Sequence, residues 1–239
     1  MTKIHTLPIL KDNYVFIIEG NNSEALIIDP GLSEPVLHYL KQHALTATHI
    51  LNTHHHWDHT DGNLEIKNAI NCTITGPEQE RSLIPGLDDG LHEGDTFTWQ
   101  DLTFDILHTP GHTLGHITYY CPQLKAAFVG DVIFSMGCGR LFEGTPKDAF
   151  GAFQKILALP DDTQIYCTHE YTLANAKFAM EIEPDNQDIK TRYEDCKNLR
   201  RKKHPTIPIS LETEKQTNPF LRCQTLEDFT KLRKFRDNY

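Results

Sequence analysis

Thr53-His54-His55-His56-Trp57-Asp58-His59 is the stretch on which the reading of this chain turns. Four histidines and one carboxylate fall within residues 54–59, directly after the apolar pair Ile50-Leu51. In an extended segment successive side chains alternate faces, so His54 and His56 share one side and His55 takes the other. Asp58 keeps that parity, and a turn over Trp57–Thr60 can swing His59 into the same space. Imidazole and carboxylate donors gathered in one place suit Zn(II), Mn(II) or Fe(II). A solvated His-rich loop would carry the same letters, so the remainder of the chain has to decide.

Three further segments share this local grammar of strand, tight turn and ligand. His112 lies in His108-Thr109-Pro110-Gly111-His112 after an apolar run ending at Leu107. Asp131 follows Ala126-Ala127-Phe128-Val129-Gly130, and His169 follows Ile165-Tyr166-Cys167-Thr168. Such a pattern sets the groups along one edge of a sheet or sandwich, on loops held by a rigid scaffold. His54, His56, Asp58, His59, His112, Asp131 and His169 are too many for one tetrahedral zinc. They suit two ions bridged by a carboxylate, each with room for water. His55 is expected to face away. His108 and His116 are core residues or groups that orient ligands, and His49, His92 and His204 carry no signal.

The chain has 239 residues, enough for one large domain or a large domain with an appendage. No apolar run reaches the length of a membrane span. The start, MTKIHTLPIL, lacks the basic end, long apolar stretch and small-residue cleavage site of a secretory leader. The expected location is therefore the cytoplasm, or else the chain is a mature form without its leader. Cys72, Cys121, Cys138, Cys167, Cys196 and Cys223 form no C-x-x-C pair, which leaves reduced structural thiols as the expectation. The net charge of -10 is unevenly spread: residues 1–189 hold 10 basic against 26 acidic side chains, and residues 190–239 hold 13 against 7. An acidic body argues against nucleic acid as a partner. The basic end, with Arg200-Arg201-Lys202-Lys203 and Arg233-Lys234-Arg236, can receive an anionic ligand or form a solvated helix face.

Short β-branched or aromatic runs closed by turn residues predict strands at Tyr14–Ile18, Ala25–Ile28, Thr48–Leu51, Thr73–Thr75, Thr96–Trp99, Leu102–Leu107, Ile117–Tyr120, Ala126–Val129 and Gln164–Cys167. Helices are predicted at Pro35–His43, Pro146–Leu157, Thr172–Glu181, Gln187–Lys203 and Thr225–Arg236, the second opened by Thr145, Pro146 and Asp148 as a capping box. The texture changes near residue 184 from strands to helices joined by Pro-rich connectors, which marks a subdomain boundary.

The order and spacing H-x-H-x-D-H at 54–59, followed by a distant His, Asp and His, resemble the metallo-β-lactamase superfamily. Within it the chain resembles the hydroxyacylglutathione hydrolases, the glyoxalase II enzymes. The segments that carry this are THHHWDHTDGN (53–63), TPGHTLGH (109–116), FVGDVIFSMGCGRLFEGT (128–145), THEYTLANAKFA (168–179) and NPFLR (218–222). The resemblance implies an α/β fold, an αβ/βα metallo-β-lactamase-like sandwich with an α-helical C-terminal subdomain. Residues 1–170 would be the metal-binding catalytic domain and 171–239 the helical substrate domain. One divalent metal would be held by His54, His56 and His112, the other by Asp58, His59 and His169, with Asp131 bridging. Zinc is the first expectation, iron or manganese the alternatives.

The same resemblance places glutathione on Arg140, Tyr171, Arg233 and Arg236, and on Phe142, where the family commonly has Tyr. It implies hydrolysis of S-(2-hydroxyacyl)glutathione, chiefly S-D-lactoylglutathione, to glutathione and D-lactate, the second step of methylglyoxal detoxification. A hydroxide bridging the two metals, oriented by Asp58 and held in place with Asp131, would attack the thioester. The expected enzyme is a cytoplasmic monomer with a small-molecule partner and neither nucleic acid nor membrane. The alternatives are an iron persulfide dioxygenase acting on glutathione persulfide, or another hydrolase of the superfamily. The first usually lacks the extended helical part. A non-catalytic metal module is disfavoured by a complete ligand set with room for water.

Overall fold

The computed structural model describes residues 2–239, which divide into two units, one made of the residues up to 108 together with 115–124, the other of residues 109–114 with 125–239. The first unit contains β1 (Lys3–Ile9), β2 (Asn13–Glu19), β3 (Glu24–Ile28), α1 (Ser33–Gln42), β4 (Thr46–Leu51), α2 (Trp57–Thr60), α3 (Asn63–Ile70), β5 (Thr73–Pro77), β6 (Asp89–Leu91), β7 (Thr96–Trp99), β8 (Leu102–His108) and β9 (Ile117–Cys121). Strands β1 to β6 form one sheet in sequence order. The pairs β1–β2 and β2–β3 are antiparallel, whereas β3–β4, β4–β5 and β5–β6 are parallel. Strands β7, β8 and β9 form an antiparallel ladder.

Residues 25–28 of β3 and 15–18 of β2 are wholly buried on both faces, which is why these strands read as unbroken apolar runs. Val15, Ile17, Ala25 and Ile27 pack on one face with Ile50 and Ile74, under Val36 and Leu40 of α1 and Ile66 of α3. Phe16, Ile18, Leu26 and Ile28, one residue out of phase, are buried on the other.

The second unit contains β10 (Ala126–Gly130), β11 (Ile133–Phe134), β12 (Gly137–Cys138), α4 (Pro146–Leu157), β13 (Gln164–Cys167), α5 (Thr172–Ile182), α6 (Gln187–Arg201), β14 (Ile209–Ser210), α7 (Leu211–Thr217) and α8 (Leu226–Asp237). Strand β10 runs parallel to β13, β14 is antiparallel to β13, and β11 and β12 make a hairpin. Helix α4 starts as its sequence requires: Thr145 and Asp148 complete a capping box with Pro146 in the first turn. The aromatic core links Phe153 of α4 and Phe229 of α8 (ring centroids 5.2 Å), then Phe220 (5.8 Å) and Phe178 of α5 (6.1 Å).

All nine predicted strands and all five predicted helices are present. The structure adds β1, β6, α3, α7 and the two-residue strands β11, β12 and β14, and the turn expected over Trp57–Thr60 is the single helical turn α2. Among the described residues, no helix is long and apolar enough to cross a membrane.

Candidate active site

In the first unit the parallel strands β3, β4 and β5 end side by side, with Ile28 opposite Leu51 and Leu51 opposite Thr75. Loops beyond the carboxyl ends of parallel strands are where such sheets place ligands. Asp29 follows β3 and Thr53 to His56 follow β4. Asp29 adopts a left-handed backbone (φ +53°) and is buried. Its carboxylate accepts the backbone N–H of Thr53 at 2.8 Å, the Thr53 hydroxyl at 2.7 Å and Nδ1 of His59 at 3.1 Å. The Thr53 hydroxyl in turn faces Nδ1 of His54 at 3.0 Å. With Nδ1 engaged, Nε2 is the ring atom each histidine can offer to a metal.

His54 Nε2 lies 3.1 Å from His56 Nδ1, and His59 Nε2 lies 3.7 Å from an Asp58 oxygen. One turn of helix, α2, carries Asp58 and His59, and the buried Asn52 amide pins it by donating to the His59 carbonyl at 3.0 Å. The Asp58 carboxylate accepts from Asn13 Nδ2 at 2.9 Å. His55 turns aside to Glu80, with Nδ1 2.9 Å from its carboxylate. His116 stacks on His54 with ring centroids 4.9 Å apart.

In the second unit β10 and β13 also end together, Gly130 opposite Cys167, so Asp131 and the pair Thr168-His169 emerge at one edge. The two Asp131 oxygens face different histidines: Oδ2 is 3.2 Å from His112 Nε2, and Oδ1 is 3.4 Å from His169 Nε2. Thr168 donates its hydroxyl to Oδ1 at 2.6 Å. His112 donates Nδ1–H to the Arg140 carbonyl at 2.7 Å, which again leaves Nε2 as the donor atom. Gly139 permits close backbone approach, because a Cβ there would lie 1.7 Å from the Asp131 carbonyl oxygen.

The same unit holds a cavity of about 340 Å³ lined by Phe134, Arg140, Tyr171, Asn175, Arg233 and Arg236. Tyr171 stacks on His169 at 4.8 Å with rings nearly parallel. Phe142 is 61% exposed, edge-on to His112 at 5.3 Å and beneath the Arg140 guanidinium at 5.8 Å. Burial, then the neighbouring Arg233 cation, pull the Arg236 pKa down, so the pair favours an anion beside it. Arg233 itself is buried and committed: it donates to the carbonyls of Cys138 (2.9 Å) and Gly139 (3.3 Å) and to Asp237 (2.8 Å). Burial lifts the Cys138 thiol to about 11 and the Cys167 thiol to about 12, so neither is a thiolate nucleophile at neutral pH.

The predicted ligands thus sort into His54, His56, Asp58 and His59 in the first unit, and His112, Asp131 and His169 in the second. Sequence reasoning passed over Asp29, Asn13 and Thr168, the residues that orient ligands. Asp29-Pro30-Gly31 reads as plain turn chemistry, and only its place after a buried strand hinted at more.

Residues 10–169 match the family model of the metallo-beta-lactamase superfamily, and residues 170–239 match that of the hydroxyacylglutathione hydrolase C-terminus. The chain is 42% identical over 228 residues to hydroxyacylglutathione hydrolase of Methylococcus capsulatus, covering 95% of this chain and 89% of that one. Among solved structures it resembles ETHE1 from Myxococcus xanthus, with a TM-score of 0.74, 24% identity, and coverage of 98% and 90%, a likeness of fold. It is 27% identical to TTHA1623, solved in a di-iron-bound form, with a TM-score of 0.58 over 70% of this chain and 91% of that one. The fold is the α/β sandwich of that superfamily with C-terminal helices, and the His/Asp cluster is of the kind that binds divalent metal.

Proposed function

Because this chain belongs to the hydroxyacylglutathione hydrolase family of the metallo-β-lactamase superfamily, we propose that it is a metal-dependent thioesterase that cleaves S-(2-hydroxyacyl)glutathione, chiefly S-D-lactoylglutathione. The observation that carries this reading is Asp131, whose two oxygens face two different histidines beside a cavity lined by Arg140, Tyr171 and Arg236. A carboxylate so placed is suited to bridge two ions.

In this reading His54, His56 and His112 hold one ion, and Asp58, His59 and His169 hold the other. The fit rests on the donors themselves, since His54, His59 and His112 each have Nδ1 engaged by a neighbour. Nitrogen and oxygen donors accept zinc first, iron or manganese otherwise. Divalent ions held there supply Lewis acidity, bringing the pKa of water toward neutrality and polarising a carbonyl. Asp58, turned by Asn13, accepts a hydrogen bond from the attacking water and aims it at the thioester carbonyl. The leaving thiol has a pKa of about 8.5 and departs as thiolate without a dedicated acid.

Residues 171–239 make the substrate-binding part and residues 1–170 the catalytic part. Glutathione carries two carboxylates, which the acidic body repels. Arg140 and Arg236 supply local attraction with forked guanidinium donors. Tyr171 and Phe142 flank the peptide, and Arg233 contributes by fixing the loop that carries Arg140. The enzyme acts as a cytoplasmic monomer with its cysteines reduced.

The test is hydrolysis of S-D-lactoylglutathione by metal-counted protein, beside S-lactoyl-N-acetylcysteamine, which has the thioester without the glutathione. Turnover of the first alone supports the reading. Equal turnover of both overturns the glutathione assignment. Turnover of neither, with oxygen uptake on glutathione persulfide, replaces hydrolysis by persulfide oxidation.

A further inference from the structure

The segment that begins at Asp131 and ends at Arg140 is held almost atom by atom from the helices of the second unit. Asn218, just past α7, donates Nδ2 to the carbonyls of Phe134 (3.2 Å) and Gly137 (3.0 Å). Asn175 of α5 donates to the Ser135 carbonyl at 3.1 Å. The Met136 N–H donates to Glu214 of α7 at 3.1 Å. Arg233 of α8 takes the carbonyls of Cys138 and Gly139. Residues 134–139 thus each meet a side chain from the helical part, although only two short strands of this segment pair with each other.

At the centre lies a buried ion pair. Glu214 is fully buried and accepts Arg192 Nη2 at 2.6 Å and Asn218 Nδ2 at 2.9 Å. Arg192 of α6, also buried, donates to the Ser135 hydroxyl at 2.6 Å and to Thr217. A buried ion pair gives little net stability compared with apolar packing, so its presence asks for another reason. The two ends of the clamped segment supply one. Asp131 faces His112 and His169, while Arg140 lines the cavity with its side chain and orients His112 with its carbonyl.

We infer that Glu214 and Arg192 are positioning residues: through the 134–139 strap they fix Asp131 and Arg140 together, setting metal retention and substrate affinity at once. This rests on the reading of the site as a glutathione thioesterase only for its second half; the metal half stands on the ligand geometry alone. It also gives a physical task to the 218–222 segment, whose Asn218 closes the strap onto Glu214.

The experiment uses the full-length protein loaded with zinc. Glu214→Gln keeps the shape and one carbonyl acceptor but removes the charge that pairs with Arg192. Ile156→Ala, a buried change on α4 outside residues 131–140, is the stability control. Zinc release to a chromogenic chelator and KM for S-D-lactoylglutathione are read at a temperature where circular dichroism shows both variants folded. Glu214→Gln is expected to release zinc about tenfold faster and to raise KM about tenfold, the scale on which supporting groups act on metal ligands. Ile156→Ala is expected to leave both within twofold of the parent. If Glu214→Gln does not fold, Ser135→Ala, which removes one Arg192 acceptor, is expected to show the same two changes in smaller amplitude. Unchanged zinc release and KM in the folded variant, or equal changes in Ile156→Ala, overturn the inference. If the parent enzyme ignores the glutathione thioester, the zinc readout still decides the metal half, so the two failures are distinguishable.

Discussion

Asp29 holds His59 by its ring Nδ1 at 3.1 Å with the same carboxylate that takes the backbone N–H and hydroxyl of Thr53. One buried side chain at the end of β3 therefore sets the orientation of His59 and, through Thr53, of His54. Asp29→Ala leaves those buried donors without acceptors and lets both rings turn. Zinc affinity is expected to fall 10- to 100-fold, measured by competition with a chelator, with a loss of stability of about 1–3 kcal/mol per unsatisfied group in the metal-free protein. Unaltered zinc affinity would mean that the histidines are held by their own packing instead.

The turn after Asp29 is equally constrained. A Cβ on Gly31 would stand 1.8 Å from the Asp58 carbonyl oxygen, a backbone atom that no rotamer change can move. Gly31→Ala must displace the start of α2, and with it Asp58 and His59. The expected outcome is a folded but less stable protein with lower metal content per chain and a larger loss in kcat than in KM. Metal analysis of the variant with full metal content and parental kcat would remove this close approach from the account.

What could be read in advance divides along physical lines. The seven proposed ligands stood out because histidine and aspartate after buried strands have few structural uses, and strands such as β3 are unbroken apolar runs. Asn13, Asp29, Thr168 and Glu214 did not stand out, since each looks like an ordinary turn or helix-surface residue until the chain folds. Strand β1 escaped notice because Pro8 lies in it, which suits an edge strand paired on one side only. Helix α7 (LETEKQT) escaped because it is short and polar, its buried Leu211, Glu214 and Thr217 giving too weak an apolar stripe. The basic C-terminal cluster is likewise mixed: Arg236 and Arg233 both line the cavity, Arg236 half-buried and Arg233 buried with bonds to the Cys138 and Gly139 carbonyls and to Asp237, while Lys202 and Lys203 are exposed.

The cysteines give a prediction with a defined sign. Burial raises Cys138 and Cys223 to about 11 and Cys167 to about 12. A thiol with its pKa three units above the medium is about one part in a thousand thiolate, and the thiolate is the reactive form. Iodoacetamide at pH 8 is therefore expected to leave thioesterase activity intact over a time that fully modifies a free model thiol. Rapid inactivation, with label found on Cys138 in the cavity wall, would bring that thiol into the chemistry.

Under the proposed reading, Phe142 faces the glutathione with a ring that has no hydroxyl. Its ring is 61% exposed, edge-on to His112 and under Arg140, so a para hydroxyl meets solvent rather than packed core. Phe142→Tyr is expected to leave the melting temperature unchanged and to add one hydrogen bond to bound glutathione. A net 0.5–1.5 kcal/mol for such a bond corresponds to a KM lower by about 2- to 12-fold. If the added contact falls on the glutathione moiety, as proposed, kcat should hold steady, the signature of binding shared by ground and transition states. The N-acetylcysteamine thioester, which lacks the peptide, should show no change at all. An equal gain on both substrates would place the hydroxyl at the reacting carbonyl instead, and move Phe142 from recognition into the chemistry of the reaction.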